Sequence, residues 1–520
     1  MLRLDKITTQ VKDDGWQTVT RYQLGQSYPD PDPSPPPGVT GSVKKMQLDS
    51  IQRAGASGQN VPQPTKFTYA YLYNRVNYPT GVSPMATARL STSTSEIGGQ
   101  TVFGYGRPEP CAQNTQYNFA DHHLDCFPAF YGVGPYPGWI PFNKWVVTAE
   151  YEIDLAGGQP VQATSYTYSG GPGWHYSMSP VLPDNGTTSN PPRAERNWNE
   201  FRGFAVVTAT DTIGGAITRS WFYQGMDGDR ASVANPNLVK SVSISLAYGE
   251  LITDVNNRAG LEADQAKYRL SDGGRLWRRR TDYTQSANPT NGFTPGTQTY
   301  QFIPWQSWFV APSQVDETTL DQTSGVIQYR TSRVTYPTYD AYGHALTAIH
   351  AGDLVNPADD WHIDRTYVPA DPVTWIHGLV TSEISRTGST ANAGATLTKT
   401  EHFYDSTGFE TKTRRWTDQP TPTSYDTNMA PDALGRIHTS TDSNSHTTTY
   451  DYDPLWGPVG FTKVKNASNQ EITTVADRRF GLPKVITDAN NHTATEEYDE
   501  LGRLTKVWRE TEPTTGRLSR

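Results

Sequence analysis

Along almost the whole chain, apolar and polar residues alternate with a period of two, in short runs broken by Gly, Asn, Asp and Pro. That period sends successive side chains to opposite faces of a pleated strand. The run Val146 to Asp154 gives way at Gly157-Gly158 to Thr164-Ser165-Tyr166-Thr167-Tyr168, which predicts a hairpin. Ala205 to Asp211 and Ile217 to Tyr223 flank Gly214-Gly215 in the same way, and Tyr268 to Leu270 and Leu276 flank Asp272-Gly273-Gly274. Ile7 to Tyr22 alternates as a strand would. Helix-forming composition is confined to Arg258–Leu270, where Ala259, Leu261, Ala263, Ala266 and Lys267 recur at imperfect helical spacing. The pattern predicts an all-β protein.

Four stretches break the alternation and read as loops: about 28–41, 107–141, 178–195 and 286–296. The first is an extended proline run from Tyr28 to Gly38, and Met178 to Pro192 and Asn288 to Pro295 are polar connections rich in Pro, Gly and Asn.

Beyond residue 330 a longer period appears. The unit aromatic–Asp–x–x–Gly–x–hydrophobic occurs at Tyr339-Asp340-Ala341-Tyr342-Gly343-His344-Ala345-Leu346 and, most clearly, at Tyr498-Asp499-Glu500-Leu501-Gly502-Arg503-Leu504-Thr505. Tyr404-Asp405-Ser406-Thr407-Gly408-Phe409 and Asp432-Ala433-Leu434-Gly435-Arg436-Ile437 are shorter copies. Degenerate copies lie at Tyr452 to Gly457 and Asp477 to Pro483, so the glycines from 435 to 502 are spaced by 22, 24 and 21 residues. A second polar turn recurs at Asp442-Ser443-Asn444-Ser445-His446 and Asp488-Ala489-Asn490-Asn491-His492. Asp432 and Asp499 are expected to end a strand and cap a turn, with Gly435 and Gly502 supplying the left-handed position. Each repeat then reads as a hairpin with arms of about ten residues, the upper end of ordinary strand lengths. Tyr498 is expected to stack on tyrosines of neighbouring units, worth about 0.5–1.5 kcal/mol per pair. Such hairpins bury no face alone, so they must add edge to edge into a long sheet, which twist makes coil.

The unit resembles the YD repeat of the RHS (rearrangement hotspot) family, shared by teneurins and the Tc-toxin B/C cocoon. Asn197-Trp198-Asn199-Glu200-Phe201-Arg202-Gly203-Phe204, followed by Asp211 and Trp221-Phe222-Tyr223-Gln224-Gly225, resembles the EFRGF stretch of the bacterial shells. Phe142-Asn143-Lys144-Trp145-Val146-Val147 is similar to a second shell stretch, and Lys66-Phe67-Thr68-Tyr69 with Asn74-Arg75-Val76 and Arg89-Leu90 to earlier strands. The resemblance spans nearly the whole chain. It implies a spiral sheet of hairpins forming a hollow shell, here a partial one, with a non-repeat region at 1–330 and a YD-repeat region at 331–520. It implies a non-catalytic role in encapsulating or delivering a toxic C-terminal cargo. The partners would be the rest of the shell and a cargo domain, on the same or an adjacent polypeptide. The alternative is a cell-surface adhesion or carbohydrate-binding YD-repeat protein whose partners are glycans. The family's core block, with its DPxG-like stretch, does not occur before Arg520, so self-cleavage is not expected of this polypeptide.

Composition narrows the chemistry. The 520 residues include 29 Tyr, 16 Phe and 14 Trp but only 19% charged residues, which suits a thin sheet stapled by aromatics and excludes a disordered chain. A net charge of −9 gives no general attraction to phosphate, and no nucleic-acid partner is expected. The densest basic run, Arg275-Leu276-Trp277-Arg278-Arg279-Arg280, reads as the polar face of a strand. No run approaches the roughly 20 apolar residues of a membrane span, and Met1 to Thr8 lacks the apolar core of a signal peptide. Export through a larger parent polypeptide or a dedicated secretion system is expected, to a secreted or cell-surface location. With no GxSxG and no HExxH, no catalytic residue, cofactor or metal ligand is assigned. Asp227-Gly228-Asp229 lacks the further carboxylates of a calcium loop and reads as a turn. The two cysteines, Cys111 and Cys126, bracket His122, His123 and Asp125. A disulfide closing a loop of about 15 residues, worth roughly 3 kcal/mol, is the first reading. Reduced thiols and a zinc site remain open beside it, although there is no CxxC pair and adjacent histidines rarely share one ion.

Overall fold

The computed structural model describes residues 3–13, 15–31, 43–76, 84–113, 115–131, 138–176, 197–232, 234–235, 237–286, 308–321, 328–371, 373–417, 423–452 and 461–509. The predicted loop at 178–195 lies outside the described residues, as do most of those at 28–41 and 286–296 and the repeat copy beyond Tyr452. Among the described residues there is no α-helix, only single 3-10 turns at Phe119–Asp121, Asn256–Arg258 and Pro357–Asp359. Twenty-seven strands are joined antiparallel in the main sheet pattern, and two separate two-stranded hairpins add four more. The all-β expectation is met.

The chain divides into two compact units. One comprises Met1–Gly25, Ser50–Pro64 and Tyr336–Arg520; the other comprises Gln26–Asp49 and Thr65–Thr335. In the repeat-bearing unit every strand from Thr347–Ala351 to Leu504–Arg509 pairs antiparallel with the next in sequence. Its arms are shorter than the ten residues expected: Ile437–Thr441, Thr447–Tyr452, Glu471–Asp477 and Thr493–Tyr498 have five to seven. The turns take up the remaining residues of each period. Ile7 to Tyr22 is a hairpin, not one strand, because Gly15 at φ +138° turns Lys6–Asp13 back onto Gly15–Ser27.

In the other unit a meander runs from Thr65–Tyr73 to Gln328–Thr335, and the three glycine-marked hairpins form as predicted. The helix-friendly stretch corrects to a strand, Glu262–Arg269, held between Ala216–Phe222 and Arg275–Gln285. Ala263 and Ala266 are fully buried in a cluster with Trp221, Tyr223, Ile244 and Leu246, so their small size suits the packing and their helix propensity is overridden. The predicted loop at 107–141 also needs correction. Cys126–Tyr131 pairs with Gly138–Asn143, bringing Phe127 opposite Phe142 and Pro128 opposite Pro141. Every buried apolar cluster among the described residues belongs to this unit.

Candidate functional site

The clear repeat turns share one geometry, while the degenerate copy at Asp477 closes a turn one residue longer, with Gly481 donating to the Asp477 carbonyl at 2.8 Å. In Asp432-Ala433-Leu434-Gly435-Arg436 the Asp432 Oδ1 accepts the N–H groups of Leu434 and Arg436, both at 2.9 Å, and Arg436 Nε donates to Oδ2 at 2.6 Å. Gly435, at φ +80°, donates its N–H to the Asp432 carbonyl at 3.1 Å. Asp499 repeats this with Leu501, Arg503 and Gly502, the last at φ +79°. Asp340 with Gly343 and Asp405 with Gly408 do the same. The second polar turns prove to be the same device with another residue in the left-handed position. Asp442 caps a turn whose Ser445 lies at φ +65°, and Asp488 one whose Asn491 lies at +61°. Asn466 and Asn469 add a copy that the sequence reading passed over, because no Asp or Gly marks it. The N–H of His446 on Asp442, and of His492 on Asp488, hold those carboxyls below the ordinary carboxylate range.

Tyr498 does not act by stacking. Tyr452 and Tyr498 end strands that are four apart, about 19 Å at normal strand spacing, well beyond the roughly 4.5–7 Å of a ring pair. Their hydroxyls reach the adjoining strand instead. Tyr404 donates to the Val380 carbonyl at 2.9 Å, Tyr452 to Ile437 at 2.8 Å and Tyr498 to Pro483 at 2.8 Å. Ile437 and Pro483 lie just past the turns at Asp432 and Asp477, so Tyr452 and Tyr498 each tie the end of their strand to the start of another. Desolvation, reinforced by the Glu496 carboxylate, pushes the Tyr498 phenol up to about 12.

Cys111 and Cys126 are joined in a disulfide with Cα atoms 6.0 Å apart. It packs with Val76, Tyr117, Phe119 and Leu124 and ties the preceding segment to the Cys126–Tyr131 strand. His122 lies against it, and a ligating atom of each of Cys111, Cys126 and His122 falls within 4.8 Å of the others. The imidazole is parallel to Trp174 at 6.2 Å, and burial pushes its pKa down to about 4, so the ring is neutral at pH 7. His123 turns away, exposed, with Asp121 at 3.9 Å. Asp125 is fully buried, takes the Glu109 N–H at 2.8 Å, and is pushed up by that burial. His122 and Trp174 open onto a cleft of about 510 Å³ that Gln224, Met226 and Lys240 also line.

Near the cleft is a charge cluster that sequence reasoning missed. His175 Nε2 lies 3.4 Å from Asp229 Oδ1 and its Nδ1 lies 3.7 Å from Glu200; Asp229 also meets Lys240 Nζ at 3.2 Å. Both His175 and Asp229 are buried. The Asp227-Gly228-Asp229 stretch is a turn with its carboxylates committed, Asp227 to the Val242 N–H at 2.9 Å and Asp229 to the Tyr176 N–H at 3.1 Å. Asp254, wholly buried, takes the N–H groups of Gln224, Gly225 and Met226 at 2.8, 2.8 and 2.9 Å. No local motif marks it, since its partners lie about thirty residues earlier. The basic run is likewise held by acids. Arg278 binds buried Asp264 through two nitrogens at 2.9 and 2.7 Å, Arg280 meets Glu250 and Asp282, and Arg279 reaches Glu317 at 3.8 Å.

No protein-family model and no curated protein matches the chain. Solved structures do. The crystal structure of TcdB2-TccC3 aligns with 90% of this chain at 10% identity and a TM-score of 0.52. TcdB2-TccC3-Cdc42 aligns with 94% at 10% identity and 0.53, and the Tc holotoxin pore of Photorhabdus luminescens with 90% at 11% and 0.53. The chain spans 27–28% of the length of those chains. At such identity the likeness is one of architecture, and it fits the hairpin meanders and capped turns described above: the chain has a Tc-toxin-like β-shell fold.

Proposed function

We propose that the chain is a non-catalytic stretch of wall from a bacterial RHS/YD-repeat, Tc-like toxin protein, and that the complete wall encapsulates or delivers a toxic C-terminal cargo. The observation that carries this reading is the likeness to TcdB2-TccC3 over nine-tenths of the chain. The repeat geometry supports it. Described turns are closed by an Asp or Asn side chain, and Tyr404, Tyr452 and Tyr498 add a hydroxyl bond to a neighbouring strand, so copies can be added without a thick core. Carboxylates and guanidinium groups are spent on one another and on backbone N–H groups, an arrangement suited to holding shape. The partners would be the rest of the wall and the cargo, and the finished particle would be secreted. Co-expression of the chain with the polypeptide encoded next to it tests this. A complex in which the neighbouring segment survives a protease that digests it alone supports the reading. A neighbouring segment that neither binds the chain nor gains protection rejects it.

A further inference from the structure

The wall role makes no use of the chemistry around Cys126. Two sulfurs and one imidazole nitrogen, from Cys111, Cys126 and His122, lie within 4.8 Å of one another. The His122 Nε2 is buried without a hydrogen-bond partner, and Nδ1 holds a long 3.4 Å contact from the Leu124 N–H. The ring also meets the Cys126 backbone, and an uncompensated buried polar atom such as Nε2 costs about 1–3 kcal/mol. Among the described residues His122 is the histidine grouped with the two sulfurs, and His123 is exposed beside Asp121. Zinc bonds of about 2.3 Å to sulfur and 2.0–2.1 Å to nitrogen, at tetrahedral angles, place sulfur about 3.8 Å from sulfur and nitrogen about 3.6 Å from each. Starting from atoms within 4.8 Å, the imidazole needs to close by only about 1 Å once the sulfurs part.

We propose that Cys111, Cys126 and His122 form a redox-gated zinc site: a disulfide under oxidising conditions, and a three-ligand zinc centre after a dithiol reductant opens it. The dithiol transfers two electrons and two protons to the disulfide and leaves as its own cyclic disulfide. Both thiol protons pass to solvent as the thiolates bind Zn²⁺. The cleft that His122 lines gives the ion its path in and leaves room for water in the fourth position. The disulfide and the metal would then serve the same mechanical end, fastening the segment before His122 to the Cys126–Tyr131 strand in either redox environment.

The test uses the full chain, oxidised or reduced with dithiothreitol and freed of excess reagent under argon, then titrated with Co²⁺ and Zn²⁺. One ion per reduced chain, with thiolate-to-cobalt charge-transfer absorption, and none per oxidised chain are expected. His122→Ala should keep the disulfide yet weaken zinc binding in the reduced form about tenfold or more, and Cys126→Ser should abolish it. A reduced chain with two reactive thiols and a native far-ultraviolet spectrum that binds no stoichiometric ion overturns the proposal. So does undiminished binding by His122→Ala. A reduced chain that loses its fold with zinc present overturns it as well, because the bound ion should hold the Cys126 strand in place.

Discussion

Gly435 and Gly502 occupy the same place in the same turn, yet replacing them should have unequal consequences. Both are left-handed, at φ +80° and +79°. Asn469 and Asn491 fill the corresponding place elsewhere in the array at φ +61°, so asparagine suits this backbone. A Cβ at Gly435 would meet nothing within 4 Å, whereas one at Gly502 would lie 2.9 Å from Phe480 Cδ1 and 3.1 Å from its Cγ. The near side of an aromatic ring cannot swing aside as a flexible chain end can. Gly435→Asn is therefore expected to cost under about 0.5 kcal/mol, the ordinary range for a surface change. Gly435→Val adds the left-handed penalty of about 1–2 kcal/mol. Gly502→Asn brings the steric term alone, about 1–3 kcal/mol for forced overpacking, and Gly502→Val brings both. The Phe480 contact makes Gly502 the more sensitive of the two. Hydrogen exchange read on Thr493–Tyr498 and Leu504–Arg509, and on Ile437–Thr441 and Thr447–Tyr452, measures local opening without requiring two-state unfolding. Protection should fall about tenfold for each 1.4 kcal/mol lost. If Gly502→Asn costs no more than Gly435→Asn, the close approach to Phe480 is wrong. If Gly435→Val costs as little as Gly435→Asn, the turn is not left-handed there.

Arg278→Met strands the fully buried Asp264 and should cost about 3–5 kcal/mol, while Arg279→Met, whose 3.8 Å pair with Glu317 is half exposed, should change stability by less than about 1 kcal/mol; thermal melting ranks the two. Tyr498→Phe deletes the hydroxyl that reaches the Pro483 carbonyl, for an expected loss of about 0.5–1.5 kcal/mol, visible as faster exchange in Leu482–Thr487. Burial holds His175 below its ordinary pKa against the pull of Asp229, with Arg202 opposing and Glu200 assisting ionisation and with Lys240 across Asp229, so the unfolded chain binds that proton first as the pH drops. Its contribution is complete above about pH 6.5 and is lost as the pH falls from there toward the folded-state value; exchange rates around Trp174–Tyr176, corrected for intrinsic pH effects, should rise between about pH 7 and 5.5 in the parent but not in His175→Asn. Trp375 is left-handed at φ +58° and 80% exposed, so Trp375→Asn should hold or raise the melting temperature, and a fall would mean that the indole packs against something it does not touch here.

Much of the fold was legible because it is local. A Gly-Gly pair between alternating runs, as at Gly214-Gly215, names its hairpin, and an Asp three residues before a Gly names its turn, since carboxylate, N–H groups and left-handed residue all lie within five residues. What escaped the sequence depends on neighbours far along the chain. Glu262–Arg269 looks helical until Ala263 and Ala266 are seen packed in one buried cluster with Trp221 and Tyr223. The Cys126–Tyr131 and Gly138–Asn143 pair looks like a loop because its prolines and aromatics hide the alternation that Phe127 and Phe142 nonetheless obey. Tyr498 was recognised as a repeat element but given the wrong partner, because strand spacing, which sequence spacing does not display, keeps successive rings apart.

The two units hold themselves together by different means, and this decides where chemistry can collect. Asp432 and Asp499 satisfy their carboxylates on the surface within their own turns, and the repeat-bearing unit has no buried apolar cluster among its described residues. Burial still reaches ionisable groups there, His362 and Asp364 beside Arg386, and desolvation raises the Tyr498 phenol. The other unit buries Trp174, Trp198 and Trp221, and the same burial traps Asp254, Asp264, His175 and His122. Asp264 answers with Arg278 and Asp254 with three N–H groups, so their charge is spent on holding shape. His122 meets the Leu124 N–H at 3.4 Å and the Cys126 backbone. Its Nε2 is buried without a hydrogen-bond partner and it lies beside the sulfurs of Cys111 and Cys126, which is why the metal proposed above is placed there.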